Sequence, residues 1–294
     1  MKAVVIATSG DPQVLQVQEV ENLEIGDDEV LIRYPGLECS GIIKAVGKVV
    51  VRWKVGDQVC SLLSGEGHAE KLAVPAGQVL PVPSGVSLKD AAGIPEVACT
   101  VWSTVLMMSR LSAGETFLVH GGSIGIGMFA IQRAKYQRAR VFVIAVDVCI
   151  NYKTEDIPAW VEETGGKGIF YCILTIISTE DGIAFYFLVH QIHYVNVILD
   201  NIGRAYFWGD IDSLNVDGRL FIIGFQGGTV AEANLLGLLA RRLTVQVAGL
   251  RNRSLENKSV IVSEVEKNVW PIITGVQVFS IDGSNKGSPA HGKQ

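Results

Sequence analysis

Cysteine is scarce in this sequence, with Cys39, Cys60, Cys99, Cys149 and Cys172 the only five among 294 residues. They are odd in number, far apart and never in a C-x-x-C pair. That spacing argues against a disulfide framework and against a structural zinc knuckle. Reduced thiols in a cytoplasmic protein are the expectation. Histidine is equally rare, with five residues. His190 and His193 share an i, i+3 spacing but have no third ligand nearby, so no metal site is expected. His68 reads as a loop residue, and His120 ends a strand beside a turn. Charge of one sign is also lacking: 25 basic residues are scattered among 30 acidic ones, for a net charge of -5. No basic stripe exists to follow a nucleic-acid backbone. Long apolar runs are absent as well. Residues 168–194 hold two apolar runs split by Ser178-Thr179-Glu180-Asp181-Gly182. Each is shorter than the ~20 residues that span a bilayer, so no membrane partner is expected. The apolar start, Lys2-Ala3-Val4-Val5-Ile6, soon meets Gly10-Asp11-Pro12 and is too brief for a signal-peptide core. No Ser/His/Asp arrangement and no paired-carboxylate motif stands out.

What is present is a globular composition, 48% hydrophobic and 19% charged, in a chain long enough for two domains. The first 85 residues or so read as β-rich. Strand-like runs at 2–7, 29–34, 41–46 and 71–74 alternate with turn signals such as Gly26-Asp27-Asp28 and Val55-Gly56-Asp57. Short strands with frequent turns predict a small barrel or partly open β-fold. From Ser87, a plausible N-cap, the texture changes. A helix is expected over 97–111, a strand over 116–120, a helix over 125–137 and a strand over 140–146. This is the β-turn-α-β unit from which parallel sheets are built. Further buried strands are expected at 195–200, 218–224 and 243–250, with a helix over 231–242 between the last two. The tail from Ser280 is rich in Gly, Ser, Asn and Lys and reads as disordered.

The strongest local signal is Gly122-Ser123-Ile124-Gly125-Ile126-Gly127. It follows an expected strand and opens an expected helix. A dinucleotide pyrophosphate must approach the backbone closely at a helix N-terminus, where free N–H groups and the helix dipole favour negative charge. Glycine removes the Cβ that would block this approach. An ordinary glycine-rich strand-helix turn is the competing explanation. Asp147 stands twenty positions after Gly127, which taken alone points to a ribose-binding acid and NAD.

Several stretches together resemble the zeta-crystallin-type quinone oxidoreductases, the zinc-free branch of the medium-chain dehydrogenase/reductase superfamily. They include Gly36-Leu37-Glu38-Cys39-Ser40-Gly41, Trp53-Lys54-Val55-Gly56-Asp57, Gly67-His68-Ala69-Glu70, Ala92-Gly93-Ile94-Pro95-Glu96, the glycine turn, Asn151-Tyr152, Asp200-Asn201-Ile202-Gly203 and Asp217-Gly218-Arg219-Leu220. The resemblance implies an α/β chain of two domains, a GroES-like β-barrel over 1–97 and a Rossmann-type doubly wound parallel sheet over 98–275. It implies NADPH as cofactor, with its pyrophosphate on Gly122, Ser123, Ile124, Gly125, Ile126 and Gly127. Tyr152 would lie near the adenosine 2′-phosphate, Asn201, Gly224, Phe225 and Gln226 near the nicotinamide, and Thr100 close by on the inter-domain helix. The implied reaction is metal-free hydride transfer to a quinone, with the proton from solvent. Reduction of an enoyl or alkenal double bond is the alternative enzyme reading. A cofactor-binding or interaction protein with its catalysis lost is the non-enzyme one. Relatives form homodimers through the Rossmann sheet edge, here expected at 243–250.

The chain departs from this family in four places, so that both domains are incomplete. Tyr34-Pro35-Gly36 runs straight into Leu37-Glu38-Cys39, without a segment that lines the substrate mouth. Val143-Ile144-Ala145-Val146 joins directly to Asp147, without a Gly-Ser-x-x-Lys phosphate clamp and its helix. Asp147 then matches the residue opening the next family strand, which favours NADPH over NAD. This junction is too short for the crossover that parallel strands need, so an altered sheet is expected. Residues 168–194 are an insertion, and the family's last strands are missing beyond about Gly275. Weakened cofactor binding and slow turnover are the expected consequences.

Overall fold

A computed structural model describes residues 1–6, 15–32, 38–65, 67–122, 124–144, 172–179, 182–189 and 195–273. The chain divides into two units, one of Met1–Pro95 with the chain from Glu266, the other Glu96–Val265.

In the first unit, β1 (Lys2–Ile6) pairs antiparallel with β2 (Leu15–Glu19). A five-stranded antiparallel sheet follows, built from β3 (Glu29–Ile32), β4 (Glu38–Val46), β5 (Gln58–Leu62), β6 (Leu72–Pro75) and β7 (Val79–Pro81) in the order β6-β3-β4-β5-β7. The alternation in Glu29-Val30-Leu31-Ile32 decides which face turns inward: Val30 and Ile32 are fully buried, as is Val74 on the neighbouring strand. With Cys39, Ile43 and Val59 they form this unit's core. Burial, then the charge of Glu38, pushes the Cys39 thiol up to about 12, so it is an inert core residue. Ser87 caps α1 (Leu88–Ala91) as its sequence position predicts, accepting from the Asp90 amide at 3.1 Å. The run Leu88–Met108 is apolar and long enough to cross a membrane, but 61% of its apolar 18-residue window is buried inside the molecule, as a core helix would be.

The second unit holds a seven-stranded sheet. Its strands are β8 (Thr116–His120), β9 (Arg140–Ile144), β10 (Cys172–Thr179), β11 (Gly182–Val189), β12 (Val195–Asp200), β13 (Leu214–Ile222) and β14 (Thr244–Val247), in the order β11-β10-β9-β8-β12-β13-β14. From β9 to β14 every neighbour is parallel. Successive residues of one strand face opposite ways. Phe117 and Val119 pack with Ala130, Ile131 and Ala134 of α3 (Gly125–Tyr136), whereas Leu118 packs with Phe207 and Ile211 of α4 (Phe207–Ser213). Helices therefore cover both faces, which is why β8 is buried along its whole length and reads as an unbroken apolar run. The remaining helices are α2 (Pro95–Val101), which continues as a π-helix over Trp102–Met108, then α5 (Leu235–Ala240) and α6 (Leu255–Asn268).

The stretch 168–194, expected as an insertion, holds two strands that its sequence does not announce. Its two apolar runs are β10 and β11, paired from Thr179↔Gly182 to Cys172↔Val189. β10 lies antiparallel on β9, with Ile173 opposite Ile144. An antiparallel strand of this kind needs no crossover helix. Several elements escape sequence reading, namely β2, β5, β7, α4 and α6. The last has a polar composition, but Lys258, Ile261, Val262 and Val265 make a buried stripe at helical spacing. The helix expected over 231–242 is shorter, and the expected tail from Ser280 lies outside the described residues.

Candidate functional site

The strand order reverses between β8 and β12. β8 passes through α3 to β9 on one side, while β12 pairs on the other. In open α/β sheets ligands bind at the carboxyl ends of the strands flanking such a point. Two turns emerge there, one after each strand.

The first turn begins at Gly121, whose φ of +68° is left-handed, a conformation that glycine adopts without strain. The Ile124 amide donates to the Gly121 carbonyl at 3.2 Å, and α3 opens at Gly125. The motif glycines have different jobs. A Cβ on Gly122 would overlap Val143 of β9, and one on Gly127 would overlap the Gly121 carbonyl oxygen and lie 2.8 Å from Gly122 Cα. These two glycines let the helix start seat against its own turn. Gly125 is exposed, and a Cβ there meets only Val97, at an ordinary 3.5 Å. Packing against the described residues does not require glycine at that position. The N-cap residue is Ile124, with no side-chain cap hydrogen bond, and a helix N-terminus of this kind can accommodate an anion.

The second turn follows β12. The Asp200 carboxylate accepts from the Ile202 and Gly203 amides at 2.6 and 2.9 Å. This turn interlocks with 224–228: the Gly227 amide donates to the Ile202 carbonyl at 2.7 Å, and a Cβ on Gly224 would lie 2.8 Å from the Asn201 carbonyl oxygen. Asn201 bridges the two turns. Its carboxamide covers Gly121, so that a Cβ there would lie 2.8 Å from Asn201 Nδ2, and its buried Oδ1 has no hydrogen-bond partner among the described residues. Phe225 and Gln226 are exposed. Thr100 is buried on α2 and its hydroxyl donates to Glu96 Oε1 at 2.9 Å. The structure thus brings Gly122, Ile124, Gly125, Ile126 and Gly127 to one turn and Asn201, Gly224, Phe225 and Gln226 to its neighbour. Ser123, Tyr152, Asp147, His190 and His193 lie outside the described residues.

Sequence reading missed a buried polar cluster behind these turns. His120 Nε2 and Asp210 Oδ1 are 2.6 Å apart, both essentially without exposure. His120 stacks on Tyr206 with ring centroids 5.0 Å apart. Asp200 completes the group, and the potential ligand atoms of His120, Asp200 and Asp210 lie within 4.8 Å of one another. These atoms are already engaged, Nε2 with Asp210 and the Asp200 carboxylate with two amides, so the cluster works as an internal network. Burial, the largest single effect, pulls the His120 pKa down, but the charge and hydrogen bond of Asp210 and the charge of Asp200 together outweigh it, and it ends above the ordinary value. Burial raises Asp200 to about 6, against the opposing effects of His120 and the two amides. The available sequence signal was an ionisable residue closing each of two apolar strands, at His120 and Asp200.

No family profile matches the chain. Over 109 residues it is 38% identical to the squalestatin tetraketide synthase of a Phoma species, a stretch that is 36% of this chain and 4% of that synthase. Among solved structures it is similar to the Escherichia coli quinone oxidoreductase complexed with NADPH, with TM-score 0.68 and 22% identity over 93% of this chain and 88% of that one. It is similar also to the JamJ enoyl reductase in its apo form, with TM-score 0.69 and 18% identity over 92% and 87% of the two chains. The fold is that of the medium-chain dehydrogenase/reductase superfamily. In this superfamily fold the five-stranded unit corresponds to the GroES-like domain and the seven-stranded unit to the Rossmann domain. The zeta-crystallin-type branch that the sequence resembles is one of several sharing it, and these structural identities speak to fold alone.

Proposed function

We propose that the chain is an NADPH-dependent reductase of α,β-unsaturated carbonyl compounds. The observation carrying the cofactor reading is Gly125, a glycine without a packing reason at an uncapped helix N-terminus beside the switch point. The amides of Gly125, Ile126 and Gly127 would hold the pyrophosphate. The buried Oδ1 of Asn201 offers an acceptor beside the same turn, and Tyr152 would serve the 2′-phosphate by resemblance. NADPH, when bound, supplies a hydride. The chain's own contribution is to orient the reactants and to fix the turns that hold them.

Highly reducing polyketide synthases among the curated relatives favour an enoyl substrate, and enoyl reductases stand among the structural neighbours. Quinone reduction, the reading first drawn from the sequence, is the second choice. It retains the support of the E. coli neighbour. NADPH oxidation should be followed with an enoyl thioester or enone and, separately, with a benzoquinone. Faster turnover of the conjugated carbonyl is expected. Faster quinone turnover would reverse the order, and the absence of NADPH binding would leave the non-enzyme reading.

The partner proposed for the sheet edge is a second copy of this chain. β14 is the edge strand, and α5 beside it exposes Leu236 and Leu239 by 71% and 75%. An edge with an adjoining apolar strip is a self-association surface, and a two-fold axis would pair both edges at once. Light scattering should give twice the 31.7 kDa chain mass, and the Leu236→Asp, Leu239→Asp double variant should give the monomer. A monomeric parent protein would refute this.

A further inference from the structure

We propose that Asp200 is a positioning residue that makes the Asn201 turn, and with it cofactor binding, sensitive to acid. The inference rests on the cofactor site proposed above. Asp200 is fully buried, and its two oxygens separately accept the Ile202 and Gly203 amides. These bonds shape the turn that sets Asn201 over Gly121. The groups facing Asp200 are His120 from the end of β8, Asp210 from α4, and Tyr206 from the segment before α4. His120 is held by Asp210 at 2.6 Å and stacked on Tyr206, so the local charge comes from two carboxylates and one imidazole, all buried.

A proton on Asp200 changes the chemistry of the turn. A carboxylate accepts at both oxygens, whereas a carboxylic acid turns one of them into an O–H donor. Two amide donors aimed at one carboxyl then compete for fewer acceptor sites, and no solvent reaches the group to compensate. One anchor of the turn is lost, and Asn201 is no longer held against Gly121. With Asp200 raised to about 6, this happens between neutral and mildly acid pH, where an exposed aspartate would stay ionised. Gly203, at φ +79°, and the interlock with 224–228 transmit the release to both sides of the site.

Two readouts test this. In 15N-labelled protein without cofactor, the Ile202 and Gly203 amide resonances should titrate together with a midpoint near 6. NADP+ binding, followed by calorimetry, should weaken about tenfold between pH 7.5 and pH 5, the effect of losing one charge-assisted hydrogen bond. Asp200→Asn places an NH2 against one of the two amides and mimics the protonated state. It should bind NADP+ about tenfold more weakly at pH 7.5 and lose the pH dependence attributable to the protein. The difference between parent and variant removes the titration of the ligand's own 2′-phosphate, which also falls near 6. Amides that stay fixed across the range would overturn the proposal, as would an Asp200→Asn protein with parental affinity and pH profile. The parent titration stands as a test even if the variant does not fold. Amides that titrate in a protein that binds no NADP+ at pH 7.5 would refute the cofactor site and leave the acid-sensitive turn established.

Discussion

Gly127→Ala is expected to destabilise the protein by about 3 kcal/mol or more, at the upper end of overpacking costs, whereas Gly125→Ala should leave stability near the parent's and weaken cofactor binding instead. The contrast follows from what each Cβ meets. At Gly127 the obstacle is backbone, the Gly121 carbonyl oxygen and the Gly122 Cα, and no rotamer change can clear it. The helix would have to lift from β8, opening the core that Ala130 and Ile131 share with Phe117 and Val119. At Gly125 the nearest atom is Val97 Cγ1 at 3.5 Å, an ordinary contact, and alanine is the better helix former. The methyl group would instead stand between the helix N-terminus and a pyrophosphate. Loss of one charge-assisted bond there corresponds to about a tenfold or greater rise in Kd. Urea denaturation and NADPH titration of both variants separate the outcomes. A stable Gly127→Ala protein would contradict the packing argument. Gly125→Ala with unchanged affinity would contradict the cofactor site.

Asp210→Ala should cost about 3–5 kcal/mol, because it leaves His120 buried without its counter-charge. Asp210→Asn should cost less, since an amide oxygen can still accept from the imidazole. The pH dependence of stability has a definite sign. The His120 pKa is raised in the fold, so its contribution is complete below the unfolded value near 6.5 and is lost as pH rises through the folded one. Asp200 acts in the same direction. Its folded value of about 6 lies above the ordinary 3.8, so the cost of burying its charge is present above pH 6 and is relieved as pH falls toward 4. Denaturation in urea should therefore give higher stability at pH 6 than at alkaline pH, with a shallower slope in Asp210→Asn. A slope of the opposite sign would mean that the cluster is not ionised as described. Mild acid thus favours the fold as a whole while loosening one turn, because neutralising a buried carboxylate lowers its burial cost but removes an acceptor.

Local pattern carried much of this fold. Val30 and Ile32 announced their inward face by alternation, and the run Thr116–His120 announced a strand buried on both sides. Ser87 announced a helix start. The glycine turn could be placed between strand and helix because glycines, apolar periodicity and position agreed. Elements with a weak local signal were missed. α6 hides a four-residue stripe in a polar sequence, and α4 is only seven residues long. The hairpin β10–β11 could not be foreseen, since its pairing with β9 is a long-range contact with no local signal.

The candidate site divides along the same line. By itself the sequence determined that a glycine-rich turn joins strand to helix and that a small-molecule α/β protein was the class to consider. These are properties of neighbouring residues and of chain length. Only the tertiary structure decided that Gly122 and Gly127 serve packing while Gly125 has no close neighbour that demands a glycine, because that depends on Val143, Gly121 and Val97 arriving from other turns and elements. Only the tertiary structure joined His120, Asp200 and Asp210, which come from two strands and a helix up to 90 positions apart. Burial then changed what those residues are: the same carboxylate that water would keep ionised becomes, inside the sheet's edge of turns, a group that gains and loses its proton near pH 6.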